Sequence, residues 1–587
     1  MIRNQEVASM LEKIADLLET KGESTYRIGA YRTAARNIAT LPHDIADDWQ
    51  HGHLEDIPGV GTSIAGKIDE FLRTGRLGYL EDLQRQVAPG LASLLEVPGL
   101  GPRRIKTMHD ALGISNLSDL ERAARQHRLA SLPGFGPKVE ANILREIDRL
   151  SSRTRRLPLG VALPIAEEVV SLLSAQPAIV DLGVAGSIRR RRDTIGDVDI
   201  VAATDQPVTV IDAFTTLSVV RDVLEKGPTR ASVLVGDNLQ IDMRAIPPNT
   251  YGAALLYFTG SKEHNIALRE IALQRGLRLN EYGLFDEHTG RRIAGLTEEE
   301  TYAALGMPWI PPELRENRGE IEAALAGRLP RLITEQDLRG DLHVHTDWSD
   351  GVDTLEEMVA AARRRGYEYV VISDHSRGLG IARGLSVERM RAQRKLIENL
   401  NRRMSPFRVL HGVEVNIRRD GSLDYSSEIL REFDVVTASV HGSFDQSEEK
   451  MTARVLAALR DPAVHILGHP HGRLLGKREG YALDLDAVIF AARDLGVALE
   501  INSQPDRLDL DDVSARKAHE AGVLLAIDTD AHAVAQLGLM SYGVSVARRA
   551  WAESTNVLNA LPLEKLLAWL RNRRNVATEH PRGLTVA

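Results

Sequence analysis

Seven short apolar runs recur between Leu342 and Ile527: Leu342–His345, Tyr369–Ser373, Val409–Gly412, Val435–Val440, Val464–Gly468, Val497–Ile501 and Val523–Ile527. Most are separated by helix-like stretches such as Leu355–Arg365 and Asp484–Leu495. Strand and helix in alternation leave few folds open. Parallel strands need a crossover, and a helix supplies it while covering the sheet. The C-terminal part is therefore predicted to be a parallel sheet or a β/α barrel. At roughly 150 residues per domain, a chain of 587 residues has room for further units before it. Hydrophobic residues at 43% and charged residues at 26% are globular values that exclude wholesale disorder. There is no cysteine, which excludes disulfides, thiolate metal sites and cysteine nucleophiles. Any metal site must come from His, Asp and Glu. The polar start Met1–Glu6 lacks a signal-peptide core, and no apolar run reaches the ~18 residues of a membrane span. The expectation is a cytoplasmic protein without a membrane partner.

The first residues are helical in pattern: Val7, Leu11, Ile14, Leu17 and Leu18 recur at helical spacing, as do Tyr31, Ala34, Ala35 and Ile38. A phrase then appears three times, as Ile57-Pro-Gly-Val-Gly61, Val97-Pro-Gly-Leu-Gly101 and Leu132-Pro-Gly-Phe-Gly136. Each copy precedes a helix-like run (Ile64–Leu72, Arg103–Leu112, Lys138–Ile147). A Gly-x-Gly turn lets backbone pack closely, and the helix after it opens with free N–H groups that suit a phosphate. One such turn would be an ordinary helix connection; repetition changes the odds. Net charge is −9, yet Val97–Arg156 holds twelve Lys/Arg against six Asp/Glu, a local balance of +6. That is the footprint of phosphate binding, although charge alone fits a solvated helical surface equally well. The three turns resemble helix-hairpin-helix clamps on the DNA backbone, through Gly59, Gly61, Gly99, Gly101, Gly134, Gly136, Arg103 and Lys138.

Strand-like runs follow at Ile179–Val184, Val198–Ala202, Val233–Val235 and Leu239–Met243. Here Gly186-Ser187 precedes Asp197-Val-Asp199 by nine residues, and Asp242 follows. Asp197 and Asp199 project to one face of a strand. Three carboxylates on one sheet repel unless divalent cations lie between them, the arrangement of two-metal phosphoryl transfer. Gly186-Ser187 offers an incoming polyphosphate a close backbone and a hydroxyl, with Arg189 to Arg192 nearby.

In the C-terminal part, His343 and His345 share a face, and Asp350 follows. His375, Glu414, His441, His469 and Asp530-Ala-His532 follow the second, third, fourth, fifth and seventh runs. The C-terminal rim of a β/α barrel is where such enzymes place their chemistry. Nine N/O donors could fill two or three sites, imidazole favouring Zn²⁺, Mn²⁺ or Fe²⁺ over Mg²⁺. His411, His465 and His519 are read as structural, and His471 is left open between the two roles.

Gly-Ser, Asp-x-Asp and the later Asp resemble the nucleotidyltransferase fold. Tyr257-Phe-Thr-Gly-Ser261 followed by Asn280-Glu-Tyr282 resembles the thumb of family X DNA polymerases, so the similarity covers roughly residues 1 to 316. It implies that Asp197, Asp199 and Asp242 hold Mg²⁺ or Mn²⁺ and that Asp242 assists deprotonation of the primer 3′-hydroxyl. Gly186, Ser187 and Arg190 would hold the triphosphate. Tyr257, Phe258 and Gly260 would line the sugar, with Asn265 and Arg269 towards the base or template. Lys262 stands beside this pocket where the family has an acidic residue. Lys67 aligns with the Schiff-base lysine of the family's deoxyribose-phosphate lyase domain, with Arg27 but Ser63 where the animal enzymes hold 5′-phosphate.

His-x-His, Asp-His, Gly-His-Pro and Asp-x-His resemble the polymerase and histidinol phosphatase (PHP) domain over about 338 to 575. That likeness makes the nine rim residues the ligands of two or three divalent metals (Mn²⁺, Zn²⁺ or Fe²⁺) for phosphoester hydrolysis. The fold expected is multidomain α+β and α/β. It comprises a helical lyase-like domain with the first hairpin (1–90), a second helix-hairpin-helix domain (91–156), a nucleotidyltransferase palm (157–248) and a thumb (249–316). A linker (317–337), a distorted seven-stranded PHP barrel (338–575) and a tail (576–587) complete it. The function implied is gap filling in DNA repair by a DNA-directed polymerase with a 3′-5′ exonuclease. Lyase and abasic-site (AP) endonuclease actions are further expectations. Its partners would be gapped or nicked double-stranded DNA and dNTPs, with the protein a monomer at the nucleoid. Two alternatives stay open: an end-binding scaffold with weak catalysis, and a barrel that acts as a small-molecule phosphatase.

Overall fold

The computed structural model describes residues 2–579 apart from 22, 42, 75–76, 87–93, 95–96, 98–99, 137–138, 141, 145–155, 237 and 379–381. Two compact units emerge, one of Met1–Val184, Thr194–Pro248 and Gly476–Arg478, the other of Ala185–Asp193, Asn249–Leu475 and Glu479–Ala587. Mixed helix and sheet in both agree with the expected fold class.

In the first unit, helices Ile2–Lys21 and Thr25–Ala39 form because their apolar residues return every three or four positions. That stripe puts Val7, Leu11, Ile14, Leu18, Ala34 and Ile38 into one core. Ser24 caps the second helix by accepting the Arg27 N–H. All three repeated turns close alike: Val60, Leu100 and Phe135 donate to the carbonyls of Ile57, Val97 and Leu132. The carbonyls of Gly61, Gly101 and Gly136 then start the next helix. Gly59 and Gly134 have φ of +80° and +79°, which a side chain would strain. The helices Thr62–Thr74 and Pro102–Leu112 match the expected runs. Gly99, Lys138 and half of the expected third helix lie outside the described residues.

The same unit contains a five-stranded sheet of β1 (Asp181–Val184), β2 (Asp197–Ala203), β3 (Val220–Lys226), β4 (Arg230–Val235) and β5 (Leu239–Ile246). Its order is β1-β2-β5-β4-β3, with only β2 and β5 parallel. Strand β3 escapes the apolar pattern because it is an edge: Arg221 to Lys226 are exposed, and charges on an edge strand discourage further pairing.

The second unit holds a three-stranded sheet of β6 (Leu277–Asn280), β7 (Gly283–Asp286) and β8 (Arg292–Ala294) with helices Tyr251–Thr259 and Lys262–Gln274. Residues 317–337, expected as a linker, are packed. Glu320 is fully buried, 2.6 Å from the ring of His264, whose other nitrogen meets the Tyr302 hydroxyl at 2.8 Å.

Seven strands then follow in strict order: β9 (Gly340–Val344), β10 (Tyr369–Ile372), β11 (Arg408–Asn416), β12 (Val435–Ser439), β13 (Ile466–Leu467), β14 (Ala498–Asn502) and β15 (Leu525–Asp528). Every neighbouring pair is parallel. The first and last ends meet where His345 N–H donates to the Ala531 carbonyl at 2.8 Å, so the sheet is nearly a closed barrel. Burial of nearly every strand residue explains the unbroken apolar runs. Helices fill the crossovers; Leu355–Arg364 begins with a capping box between Thr354 and Glu357. Strand β11 is longer than expected, so Glu414 lies within it rather than after it.

Candidate active sites

On β2, Val198 and Ile200 are buried while Asp197 and Asp199 face outward. The period of two thus separates an apolar core face from a carboxylate face. Asp242 pairs with Asp199 across parallel β2 and β5, which sets the three acids on one face. Gln240 donates to both Asp242 oxygens at 3.0 and 3.2 Å and fixes that carboxylate. Burial first, and Asp242 second, raise the pKa of Asp197. This face resists concentrated negative charge and suits a cation.

Gly186 and Ser187 begin a four-residue helical turn, Gly186–Arg189, with Gly186 at φ +67°. Arg189 forms two hydrogen bonds to Glu298, at 2.7 and 2.9 Å. Arg315 grips the same carboxylate at 2.7 and 3.0 Å. Burial opposes ionisation of Glu298, but Arg315 and Arg189 outweigh it and bring its pKa to about 2. Arg190 is not free in the turn: it donates to Glu316 at 3.0 Å and to the Thr259 carbonyl at 2.5 Å. Tyr257 and Phe258 meet edge to face at 5.1 Å. Arg269 lies 5.3 Å from the Tyr257 ring, and Asn265 donates to the Tyr257 carbonyl at 2.7 Å. Gly260 has φ +68° and ends the Tyr251–Thr259 helix; Lys262 begins the next one after the Ser261 cap.

Lys67 lies on helix Thr62–Thr74 with Nζ 4.7 Å from the Tyr79 ring and 5.9 Å from the Tyr31 ring. It donates to the Ser63 carbonyl and hydroxyl at 2.9 and 3.0 Å. Burial lowers its pKa. Arg27 reaches the Tyr79 hydroxyl at 2.8 Å.

The barrel rim gathers its donors more tightly. Three groups have donor atoms within 4.8 Å of one another: His345, Asp350, His375 and His532; His343, His345 and Asp530; and His375, Glu414 and His441. Among the described residues all such groups lie in the barrel. Glu414 joins them, one oxygen 3.0 Å from His375 and 3.4 Å from His343, the other 3.1 and 3.0 Å from His441 and His469. His343 Nε2 and both ring nitrogens of His345 are buried without a hydrogen bond, although the Asp530 carboxylate stands 3.7 and 3.1 Å away. Buried polar atoms ordinarily find partners. Nitrogens facing carboxylates without bonding them fit shared divalent cations, and the N/O donor set fits them as well. Burial, then His532 and His375, lowers His345 to a pKa of about 4, leaving its imidazole neutral as a ligand must be. Burial opposes ionisation of Glu414, yet His441, His375 and His343 keep its pKa well below the usual range.

A second layer was not read from the sequence. Glu500 on β14 meets His343 Nδ1 at 2.6 Å and accepts the His469 N–H at 2.5 Å. Asp374 receives the Thr346 N–H and hydroxyl at 2.8 and 2.6 Å, and the Ser349 hydroxyl, so it shapes the loop that carries Asp350. Asn502 holds Asp530 at 3.0 Å. A carboxylate in the otherwise apolar Val497–Ile501 run was the available signal, since buried charges need partners. Such outer partners fix ligand orientation. Glu500→Gln is expected to weaken metal affinity by roughly 10–100-fold, measured by metal titration; unchanged affinity would remove Glu500 from this role. The remaining histidines have other duties. His411 is packed on Phe433, and burial brings its pKa to about 3. His465 accepts the Val436 N–H, and His519 contacts the Ala550 carbonyl. His471 pairs with Asp509 at 3.5 Å, which places it outside the ligand groups.

Comparison with known proteins gives matches to a helix-hairpin-helix domain over residues 2–77 and a SAM-like helix-hairpin-helix tandem over 91–149. A DNA polymerase beta thumb matches over 254–316 and a PHP domain over 341–504. The DNA polymerase/3'-5' exonuclease PolX of Bacillus subtilis (strain 168) is 39% identical over 572 residues, 97% of this chain and 100% of its own. A probable phosphatase of Thermoanaerobacter sp. (strain X514) is 29% identical over 246 residues, 40% of this chain and 95% of its own. One of Shewanella sediminis is 28% identical over 244 residues, 40% of this chain and 94% of its own.

Proposed function

The chain belongs to the family of the PolX DNA polymerase/3'-5' exonucleases, and we propose that it extends primers at the carboxylates of β2 and β5 and shortens 3′ ends at the barrel rim. The observation behind this reading is the coexistence, in a chain matched over 97% of its length, of a three-carboxylate sheet face and a rim where eight His, Asp and Glu side chains cluster, with His469 against Glu414. Helix-hairpin-helix, thumb and PHP matches in that order support the division into 1–90, 91–156, 157–248, 249–316, 338–575 and 576–587, with 317–337 a packed connection. Gapped or nicked DNA would be held by the paired hairpin turns through its phosphates, contacts that position without reading sequence. No described helix is long and apolar enough to cross a membrane. Action on DNA favours a cytoplasmic protein at the nucleoid.

For synthesis, Asp197, Asp199 and Asp242 would hold Mg²⁺ or Mn²⁺, which supplies charge neutralisation between primer and dNTP. Asp242, oriented by Gln240, would draw the proton from the primer 3′-hydroxyl as that oxygen attacks the α-phosphorus and pyrophosphate leaves. Ser187 and the backbone at Gly186 would hold the phosphates. The Tyr257–Phe258 pair would lie along the sugar.

For hydrolysis, the rim residues would hold two or three Mn²⁺, Zn²⁺ or Fe²⁺ ions, which supply Lewis-acid activation at neutral pH. Water adds to the terminal phosphodiester, the bond to the preceding 3′-oxygen breaks, and a nucleoside monophosphate leaves. The same chemistry would serve abasic-site cleavage. The phosphatase relatives favour testing a second reading, turnover of free phosphomonoesters. A 3′-recessed duplex and a simple phosphomonoester compared side by side decide it: hydrolysis of the DNA alone supports the exonuclease, hydrolysis of the ester alone refutes it.

Lyase action would use Lys67, whose pKa burial lowers towards the neutral amine that a Schiff base needs. Borohydride is expected to trap the protein on a 5′-deoxyribose-phosphate end, and Lys67→Ala to reduce trapping by more than about tenfold. Equal trapping by the variant would assign the Schiff base elsewhere.

A further inference from the structure

The turn proposed to hold the nucleotide phosphates is fastened from a direction the synthesis reaction does not explain. Arg191 N–H and Arg192 N–H donate to the carbonyls of Ile188 and Ser187, both at 3.0 Å, which closes the turn. Arg549, the last residue of barrel helix Met540–Arg549, reaches into it and donates to the Arg190 carbonyl at 2.7 Å. The same nitrogen lies 3.0 Å from Glu316 Oε1, the oxygen that also receives Arg190. Its second nitrogen meets Asp512 at 2.8 Å, and Asp512 is also held by Arg318 at 2.9 Å. Further along the turn, Arg473 of the barrel pairs with Asp193 at 3.2 Å. Arg549 is 4% exposed. Asp512 alone could neutralise it inside the barrel, so the reach to a backbone carbonyl of the turn asks for another purpose.

We infer that Arg549 is a positioning residue for DNA synthesis, through which the hydrolytic barrel sets the shape of the nucleotide-binding turn. The inference rests on the proposed role of Gly186 and Ser187. A planar guanidinium serves the carbonyl and both carboxylates at once, which an ammonium cannot do in the same geometry. Without it the Arg190 carbonyl loses the Arg549 donor, and Arg190 and Glu316 can turn together. Misplaced phosphate contacts weaken nucleotide binding more than the chemical step.

The test is steady-state dNTP addition to a gapped primer–template by the full-length protein and its Arg549→Ala, Arg549→Lys, Asp193→Asn and Ser187→Ala variants. Hydrolysis of a 3′-recessed duplex is measured in parallel. For Arg549→Ala, KM for dNTP is expected to rise about tenfold while kcat stays within about threefold and hydrolysis is unchanged. Arg549→Lys should recover part of the loss. Asp193→Asn breaks the Arg473 tie from the more exposed side and should raise KM about threefold, a readout that survives if Arg549→Ala does not fold. Unchanged KM in both Arg549→Ala and Asp193→Asn, with KM raised in Ser187→Ala, would overturn the inference and leave the synthesis reading intact. Equal loss of synthesis and hydrolysis would make Arg549 a structural residue and overturn it too. Unchanged KM in Ser187→Ala would remove the reading on which the inference stands.

Discussion

Asp197→Ala combined with Asp199→Ala is expected to abolish nucleotide addition while hydrolysis of 3′ ends continues. One preorganised electrostatic contact in a transition state is worth roughly 10²–10³ in rate, and two carboxylates that share a face of β2 should together cost at least that. Folding is not the cause in this variant. Both side chains face away from the core of the sheet, and burial together with Asp242 already makes ionisation of Asp197 less favourable. Alanine at position 197 removes that repulsion. Incorporation of a single labelled dNTP into a gapped substrate measures the loss. Retained incorporation would move the synthesis site away from β2, and joint loss of both activities would mean that the sites are not separate.

His343→Ala should do the reverse. Its ring stands between Glu500 on one nitrogen and the Glu414 and Asp530 carboxylates on the other, so its removal takes a proposed ligand and leaves Glu500 Oε1 without its ring partner. A drop in hydrolysis of at least about 10²-fold is expected, with primer extension preserved. A buried carboxylate oxygen that loses its partner also destabilises the barrel, so His532→Ala serves as companion. That side chain is 18% exposed and pairs with Asp350 at 3.4 Å, and its removal costs hydrolysis with less strain. Normal exonuclease rates in both variants would exclude the rim as the hydrolytic site.

Much of this was legible in the sequence because it depends on local periodicity. Asp-Val-Asp on a strand must put both acids on one face, and the apolar residues between them fix which face is buried. The barrel could be read because strands covered on both sides become unbroken apolar runs, and ligands that end such strands converge. Three glycine-rich turns announced themselves by repetition, and the hydrogen bonds of the described turns are the same in each. Long-range polar pairing left weaker marks. Glu500 looks like any glutamate until β14 lies beside β13 and His343 is placed opposite. Edge strand β3 shows no apolar run because most of it faces water. Arg190, expected to hold the triphosphate, donates to Glu316 and the Thr259 carbonyl, partners 126 and 69 residues away. No spacing in the chain foretells contacts at that distance. Glu320 and His264 likewise show why residues 317–337 pack instead of spanning: a buried hydrogen bond between distant segments needs the fold before it can be seen.

The central claim is that one chain both lengthens and shortens the same DNA end at separate sites. A gapped primer–template incubated with the purified protein in Mg²⁺ and in Mn²⁺, with and without dNTPs, tests it most directly. The primer should grow when dNTPs are present and shorten when they are absent. A primer that never changes length in any of the four conditions would contradict the account and favour a protein that only binds DNA ends.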